Sequence, residues 1–307
     1  MSPVHRDQSA DVAVRIMRGL PRAGSAAGRG SAVPPGFSAG RTLPIRVELA
    51  RQLRRRRTQV ALGLMVLLPI ILAVAFAFDT PSGGGTSFVD LAQSSAVNFA
   101  IVALFFSATF LLVVVISLFF GDTIASEASW SSLRYLLAMP VPRRRLLRQK
   151  FVVAGLMSLM ALILLPLTAW ILGAVLYGAG PVSTPVGESF SGWTSVVRLA
   201  LVVGYIAVYL LWVAGLAFLL SVSTDAPLGA VGGAVMIAIL SQILDQIEAL
   251  GGFRDWLPTH YAFSWTGALV DPIQWDDMVR GAFTSVAYAV VLVGFAFLRF
   301  RRKDITS

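Results

Sequence analysis

The chain has no cysteine and few charged residues. Only 13% of its 307 residues are Asp, Glu, Lys or Arg, about half the share in an average soluble domain, whereas 56% are apolar. The absence of cysteine excludes disulfide bonds, thiolate catalysis and cysteine-ligated metal sites. The low charge predicts a chain embedded in a membrane rather than a water-soluble enzyme or a nucleic-acid-binding protein.

Lysine and histidine are also scarce, and their surroundings exclude two kinds of site. The lysines are Lys150 and Lys303, and neither follows a glycine, so the phosphate-binding loop of an ATPase is impossible. The histidines are His5 and His260, and neither is followed by the glutamate of the H-E-x-x-H zinc signature. No cofactor is therefore expected, and any ATP must be hydrolysed by a separate subunit.

Six long stretches free of charged residues predict six transmembrane helices. A helix of about 20 apolar residues crosses the hydrocarbon core of a bilayer, and each stretch provides close to that number or more. The predicted spans lie at about 59–78, 96–120, 151–177, 198–221, 227–246 and 281–299. The predicted fold class is an all-α polytopic membrane protein.

The basic residues predict the orientation of these spans. When the loops are assigned alternately, 22 of the 25 Lys and Arg residues fall on the side of the two termini. The other three are Arg198, Arg254 and Arg280. Because loops on the cytoplasmic side carry the excess of basic residues, both termini are predicted to be cytoplasmic in a multi-pass protein of the cell membrane.

Two segments precede the first span. Residues 1–43 are rich in Ala, Gly, Ser, Pro and Arg and contain no sustained apolar run, so they are expected to be a disordered cytoplasmic tail. Residues 44–58 predict an amphipathic helix on the membrane surface. Its cationic residues are Arg46, Arg51, Arg54, Arg55, Arg56 and Arg57. This basic face is expected to anchor the chain to anionic lipid, with contact to a cytoplasmic partner as the alternative.

The segment between the second and third spans, residues 121–150, is longer than a simple connection needs and is called the inner loop below. Its apolar residues Trp130, Leu133 and Leu137 fall on one helical face, and Pro140 ends that helix. An apolar face with a central tryptophan, surrounded by charge, is typical of a docking surface for another protein.

The inner loop resembles the type-two permeases of ATP-binding-cassette exporters. In that family a glutamate is followed by Gly-Thr, then Leu-x-x-Leu-Leu-x-x-Pro-Val, a basic cluster and a lysine. Here Glu127 precedes WSSLRYLLAMPVPRRRLLRQK, which ends at Lys150, and Ser131 and Ser132 replace Gly-Thr. The other matching residues are Leu133, Leu136, Leu137, Pro140, Val141 and Arg143.

The resemblance covers about residues 44–307 and implies a transmembrane permease domain. It implies a cytoplasmic coupling helix between helices two and three that docks into a separate ATPase subunit. The docking residues so implied are Glu127, Trp130, Leu133, Arg134 and Leu137. A second permease subunit, identical or different, would complete the translocation pathway. Residues 247–280, called the outer segment below, would contain short helices that re-enter the membrane.

Two other classes of protein stay open at this point. An ion-gradient-driven transporter needs ionisable residues within its spans, and the best candidate is Asp245 with Gln242, at the end of a span. An intramembrane hydrolase could pair His260 with a membrane serine. The transported substrate is not readable from the sequence.

Overall fold

Six helices of the described part of the chain are long and apolar enough to cross a membrane. The structure is a computed structural model, and it describes residues 45–78, 87–129, 143–178, 180–183, 189–190 and 192–302. These residues belong to one compact unit, Thr42–Ser307. The protein is therefore an all-α multi-pass membrane protein, as predicted, with one short β-hairpin added.

Each of the six charge-free stretches lies largely within helix. In chain order the helices are α1 (Ile45–Leu53), α2 (Arg56–Ala77), α3 (Phe88–Gln93), α4 (Ala96–Ala108), α5 (Leu111–Ser129), α6 (Arg143–Leu176), α7 (Trp193–Tyr209), α8 (Leu211–Ser223), α9 (Pro227–Asp245) and α10 (Asp276–Arg302). Two 3-10 helices, Glu248–Trp256 and Ser264–Leu269, lie between α9 and α10.

Two of the six predicted spans differ from single regular helices. The second consists of α4 and α5, which are separated at Thr109 and Phe110. The fourth consists of α7 and α8 around Leu210, where the N–H of Leu210 still donates to the carbonyl of Ile206 at 3.0 Å. The third span begins earlier than predicted, because α6 starts at Arg143 and includes the basic cluster. The breaks within the second and fourth spans contain neither Gly nor Pro, so the sequence has no local signal for them.

Helix α5 lies at the centre of the bundle. It contacts α6, α8 and α9. Within its apolar stretch 72% of the residues are buried, against 17% in α10. A helix that is apolar all round and largely enclosed by protein belongs to the core rather than to the lipid boundary. The helix that leads into the inner loop is thus the most enclosed of the six helices that are long enough to span a membrane.

Helix α8 packs closely against α10 through a glycine. A Cβ atom added at Gly215 would lie 3.2 Å from the Cα atom of Ala289, so the two backbones approach at this point. Small residues permit this approach, which favours helix association within a bilayer.

The chain at the opposite end from the inner loop contains short elements. The hairpin pairs β1 (Val182–Ser183) with β2 (Ser189–Phe190) in antiparallel register. The first 3-10 helix is kinked at Gly251, whose φ of +50° favours glycine. The outer segment therefore does contain short helices, and their entry into the membrane stays a prediction.

Arg198 of α7 connects these short elements to the bundle. Its buried guanidinium donates from Nη1 to the carbonyl oxygens of Ala268, at 2.8 Å, and Val270, at 2.9 Å. The same group lies 4.7 Å from the ring centroid of Phe190 in β2. One arginine thus joins α7, the hairpin and the outer segment.

Candidate functional site

Four charged side chains meet where α1 approaches the two ends of the inner loop. Glu48 and Arg51 lie one turn apart on α1. Glu127 lies in the last turn of α5, and Lys150 lies about two turns into α6. These four residues are called the ion cluster below. The ion cluster joins α1 to both helices that flank the inner loop.

Each cation of the ion cluster contacts both carboxylates. Lys150 Nζ donates to Oε1 of Glu48 at 2.7 Å and also to Oε1 of Glu127. Arg51 Nη2 donates to the same two oxygens, at 2.8 Å on Glu48 and 3.1 Å on Glu127. The contacts therefore close into a ring in which positive and negative groups alternate.

The ion cluster is largely shielded from solvent. The exposed fraction of the side chain is 5% for Lys150, 5% for Glu127, 10% for Glu48 and 50% for Arg51. Charges are buried at a high desolvation cost unless they are paired and hydrogen-bonded. Two cations and two anions satisfy that condition together. The loss of any one of them would leave a buried net charge.

The surroundings of Glu48 favour its charged form. Burial raises the pKa of this carboxyl, but the charges and hydrogen bonds of Lys150 and Arg51 outweigh burial, so the pKa lies below its ordinary value. Burial likewise lowers the pKa of Arg51, and the neighbouring Glu48 and Glu127 more than reverse this. The fold therefore holds these groups as ions.

A second set of ion pairs links the start of α2 to α5. Arg55 Nη1 lies 3.2 Å from Asp122 Oδ2, and Arg57 Nη1 lies 3.0 Å from Asp122 Oδ1. Because Asp122 and Glu127 both belong to α5, the basic segment that precedes the first span is held to α5 at two levels.

Helix α8 is also tied to α5 near the inner loop. The fully buried hydroxyl oxygen of Ser221 accepts hydrogen bonds from the backbone N–H groups of Ile124, at 3.0 Å, and Ala125, at 3.1 Å. A displacement of this end of α5 would therefore be transmitted to α8 as well as to α1 and α6.

The structure describes only part of the predicted docking surface. Trp130, Leu133, Arg134 and Leu137 lie outside the described residues, whereas Glu127 is described and buried. Of the predicted membrane-surface arginines, Arg51, Arg55 and Arg57 contact carboxylates, and Arg54 and Arg56 are exposed.

Sequence reasoning did not identify Glu48 and Lys150 as partners of Glu127. An available signal was the position of Lys150, which directly precedes a long charge-free stretch. Such a charge is costly at the edge of a membrane unless it has a partner. The sequence does not say which partner each one has.

A second group of polar residues lies where α9 meets the outer segment. His260 Nδ1 is 2.6 Å from Asp245 Oδ1, and His260 Nε2 is 3.4 Å from Asp255 Oδ1. Arg254 Nε lies 3.6 Å from the same oxygen of Asp245. Gln242 points elsewhere, since its amide donates to the carbonyl of Thr109 at 2.8 Å, at the break between α4 and α5. Among the described residues no group of His, Asp and Glu is arranged to hold a metal ion.

The comparison with protein families matches most of the chain. The model described as protein of unknown function DUF2705 matches residues 65–306. The chain belongs to this family. The DUF2705 match includes Asp122, Glu127 and Lys150, whereas α1 with Glu48 and Arg51 precedes it. No curated protein matches the chain.

Proposed function

We propose that this protein is the membrane-spanning permease subunit of an ATP-binding-cassette exporter. In this proposal the inner loop carries a coupling helix that docks into a separate ATPase subunit, with Trp130 and Leu133 at the contact. The chain then forms the translocation pathway together with a second permease subunit. Both termini face the cytoplasm, and the protein lies in the cell membrane.

The observation that carries the proposal is the ion cluster at the base of the inner loop. A segment that transmits force must be fastened at both of its ends, or it would bend without moving the bundle. Glu127 and Lys150 join the two ends of the inner loop to each other and to α1. A loop that only connected two spans would not need a buried four-membered network at its base.

The packing of α5 supports transmission from that base to the rest of the bundle. Helix α5 is the most enclosed of the spans, and Ser221 holds α8 to it by two backbone hydrogen bonds. Helix α8 in turn packs on α10. At its other end α8 adjoins α7, whose Arg198 binds the outer segment. Movement of the inner loop therefore has contiguous packed elements through which to reach the opposite side.

Transport driven by an ion gradient is less well supported. Asp245, its best candidate residue, lies at the end of α9 beside His260 and Arg254. Proton and ion sites of such transporters lie within the spans, towards the bilayer centre. For an intramembrane hydrolase, both ring nitrogens of His260 are next to carboxylates rather than a serine.

The proposal is tested by purifying the full chain from its native host and assaying any co-purified soluble ATPase. Trp130→Asp and Leu133→Asp are expected to abolish co-purification and the stimulation of ATP hydrolysis, because each places a charge at the docking face. Membrane insertion should be unchanged.

The matched control is Trp193→Asp at the opposite end of the bundle, where the tryptophan is 77% exposed. This variant should retain the ATPase and its stimulation. Transport by the purified chain in vesicles without any nucleotidase, or wild-type ATPase binding by Trp130→Asp, would overturn the proposal.

A further inference from the structure

A large cleft lies between the ends of α8 and α10. Its volume is about 780 Å³. Its apolar walls include Leu220 and Val222 of α8 and Phe295 and Leu298 of α10. Phe295 is 59% exposed and Leu298 is 51% exposed, so the cleft opens towards the surroundings of the bundle.

Two arginine side chains line this cleft. Arg299 and Arg302 both line it, and they are three positions apart on the last turn of α10, so they share one face. Neither has an ion-pair partner within the described ranges of the chain. By contrast, Arg51, Arg55 and Arg57 at the other basic segment all contact carboxylates.

We propose that this cleft binds an anionic glycerophospholipid of the surrounding bilayer. The acyl chains would lie along the walls formed by Leu220, Phe295 and Leu298, and the phosphate would lie between Arg299 and Arg302. Basic pockets between spans at the membrane surface suit anionic headgroups, and guanidinium groups bind phosphate oxygens in bidentate geometry. The proposal does not depend on the proposed transport function.

The charges of the cleft favour lipid over a second copy of this chain. In a two-fold symmetric interface a patch meets its own copy. Such an interface centred here would bring the two pairs of Arg299 and Arg302 together, and no carboxylate lines the cleft as the structure describes it. A lipid phosphate instead supplies the missing negative charge, and its acyl chains match the apolar walls.

The test measures lipid contact at the cleft by fluorescence quenching. The chain has no cysteine, so a Ser223→Cys variant can be labelled with bimane at a residue that lines the cleft. The labelled protein is placed in phosphatidylcholine vesicles that contain either brominated phosphatidylglycerol or brominated phosphatidylcholine. Quenching should indicate about 30-fold stronger association of phosphatidylglycerol than of phosphatidylcholine, the size expected from two basic residues at an anionic surface.

Three variants in the labelled background identify the cause of the preference. The double variant Arg299→Gln with Arg302→Gln should reduce the ratio between the two lipids to about one. Arg299→Lys with Arg302→Lys should retain most of it, which shows that the fold is intact. Arg301→Gln is the matched control, because Arg301 carries the same charge in the same turn without lining the cleft.

Four results would overturn the proposal. The first is equal quenching by the two lipids in the labelled Ser223→Cys protein, and the second is an undiminished preference for phosphatidylglycerol in the Gln double variant. The third is an equal loss of that preference in Arg301→Gln. The fourth is the absence of bimane quenching by either lipid. If neither lipid quenches the bimane and unlabelled Ser223→Cys chains form a disulfide with each other, the cleft is occupied by a second copy of the chain instead.

Discussion

The ammonium group of Lys150 and the carboxylate of Glu127 form a buried ion pair between the two helices that flank the inner loop. Both residues also contact α1, Lys150 through Glu48 and Glu127 through Arg51. The two ends of the inner loop are therefore held by a helix that lies earlier in the chain and outside the region that matches the family.

Replacing Lys150 should destabilise the protein strongly. Lys150→Met leaves two buried carboxylates that share only the half-exposed Arg51, and breaking a buried ion network in this way typically costs about 3–5 kcal/mol. Thermal unfolding in detergent would show a markedly lower midpoint. The control is Arg57→Gln, whose side chain is 62% exposed and which should cost about 1 kcal/mol or less. Adding Glu127→Gln to Lys150→Met should recover part of the loss, and equal midpoints for Lys150→Met and the control would contradict this prediction.

Acidification should release α1 through Glu48. Because the folded pKa of Glu48 is lowered, its contribution to stability is complete above the ordinary glutamate pKa of about 4.3 and is lost as pH falls through the folded value. The anisotropy of a fluorophore on a Val47→Cys variant reports the release, since Val47 is an exposed residue of α1. The signal should be constant from neutral pH to about pH 5 and fall below about pH 4.

The matched variant for this titration adds Glu48→Gln to Val47→Cys. Without the carboxylate, α1 should be more mobile at neutral pH, and the acid step should shrink. An unchanged acid step in the Gln variant would show that Glu48 does not control the docking of α1.

A single methyl group should disturb the contact between α10 and the outer segment. An added Cβ atom at Gly281 would overlap with Tyr205 Oη and lie 2.5 Å from Tyr261 Cβ, where Tyr205 donates a 2.7 Å hydrogen bond to the carbonyl of Tyr261. Gly281→Ala should cost about 1–3 kcal/mol through overpacking, seen as a lower thermal midpoint. Gly294→Ala is the control in the same helix, since nothing lies within 4 Å of its added Cβ, and it should be neutral or slightly stabilising. A Gly281→Ala midpoint at or above the control would refute the close approach.

The predicted orientation can be measured with single cysteines. A Ser183→Cys variant should react with a membrane-impermeant maleimide on intact cells, because the hairpin lies on the side with few basic residues. A Ser132→Cys variant should react only after the cells are opened. The reverse pattern would place the inner loop and both termini outside the cell.

The spans could be predicted from the sequence, whereas the ion cluster could not. Transmembrane helices follow from local composition, since an apolar stretch of sufficient length has few other stable structures in a bilayer. The ion cluster depends on which distant residues meet, and Glu48 and Lys150 are 102 positions apart. The break between α4 and α5 was equally unreadable, because it is stabilised from another span by Gln242.

The contacts of Arg198 have a mechanical consequence for any movement of α7. Its guanidinium holds carbonyl oxygens of the outer segment while it faces the ring of Phe190 in the hairpin. If α7 tilts, the contacts of Arg198 therefore move the hairpin and the outer segment with it. Separating these elements would leave the buried guanidinium without its contacts. Movement of α7, the hairpin and the outer segment as one rigid unit therefore costs less free energy.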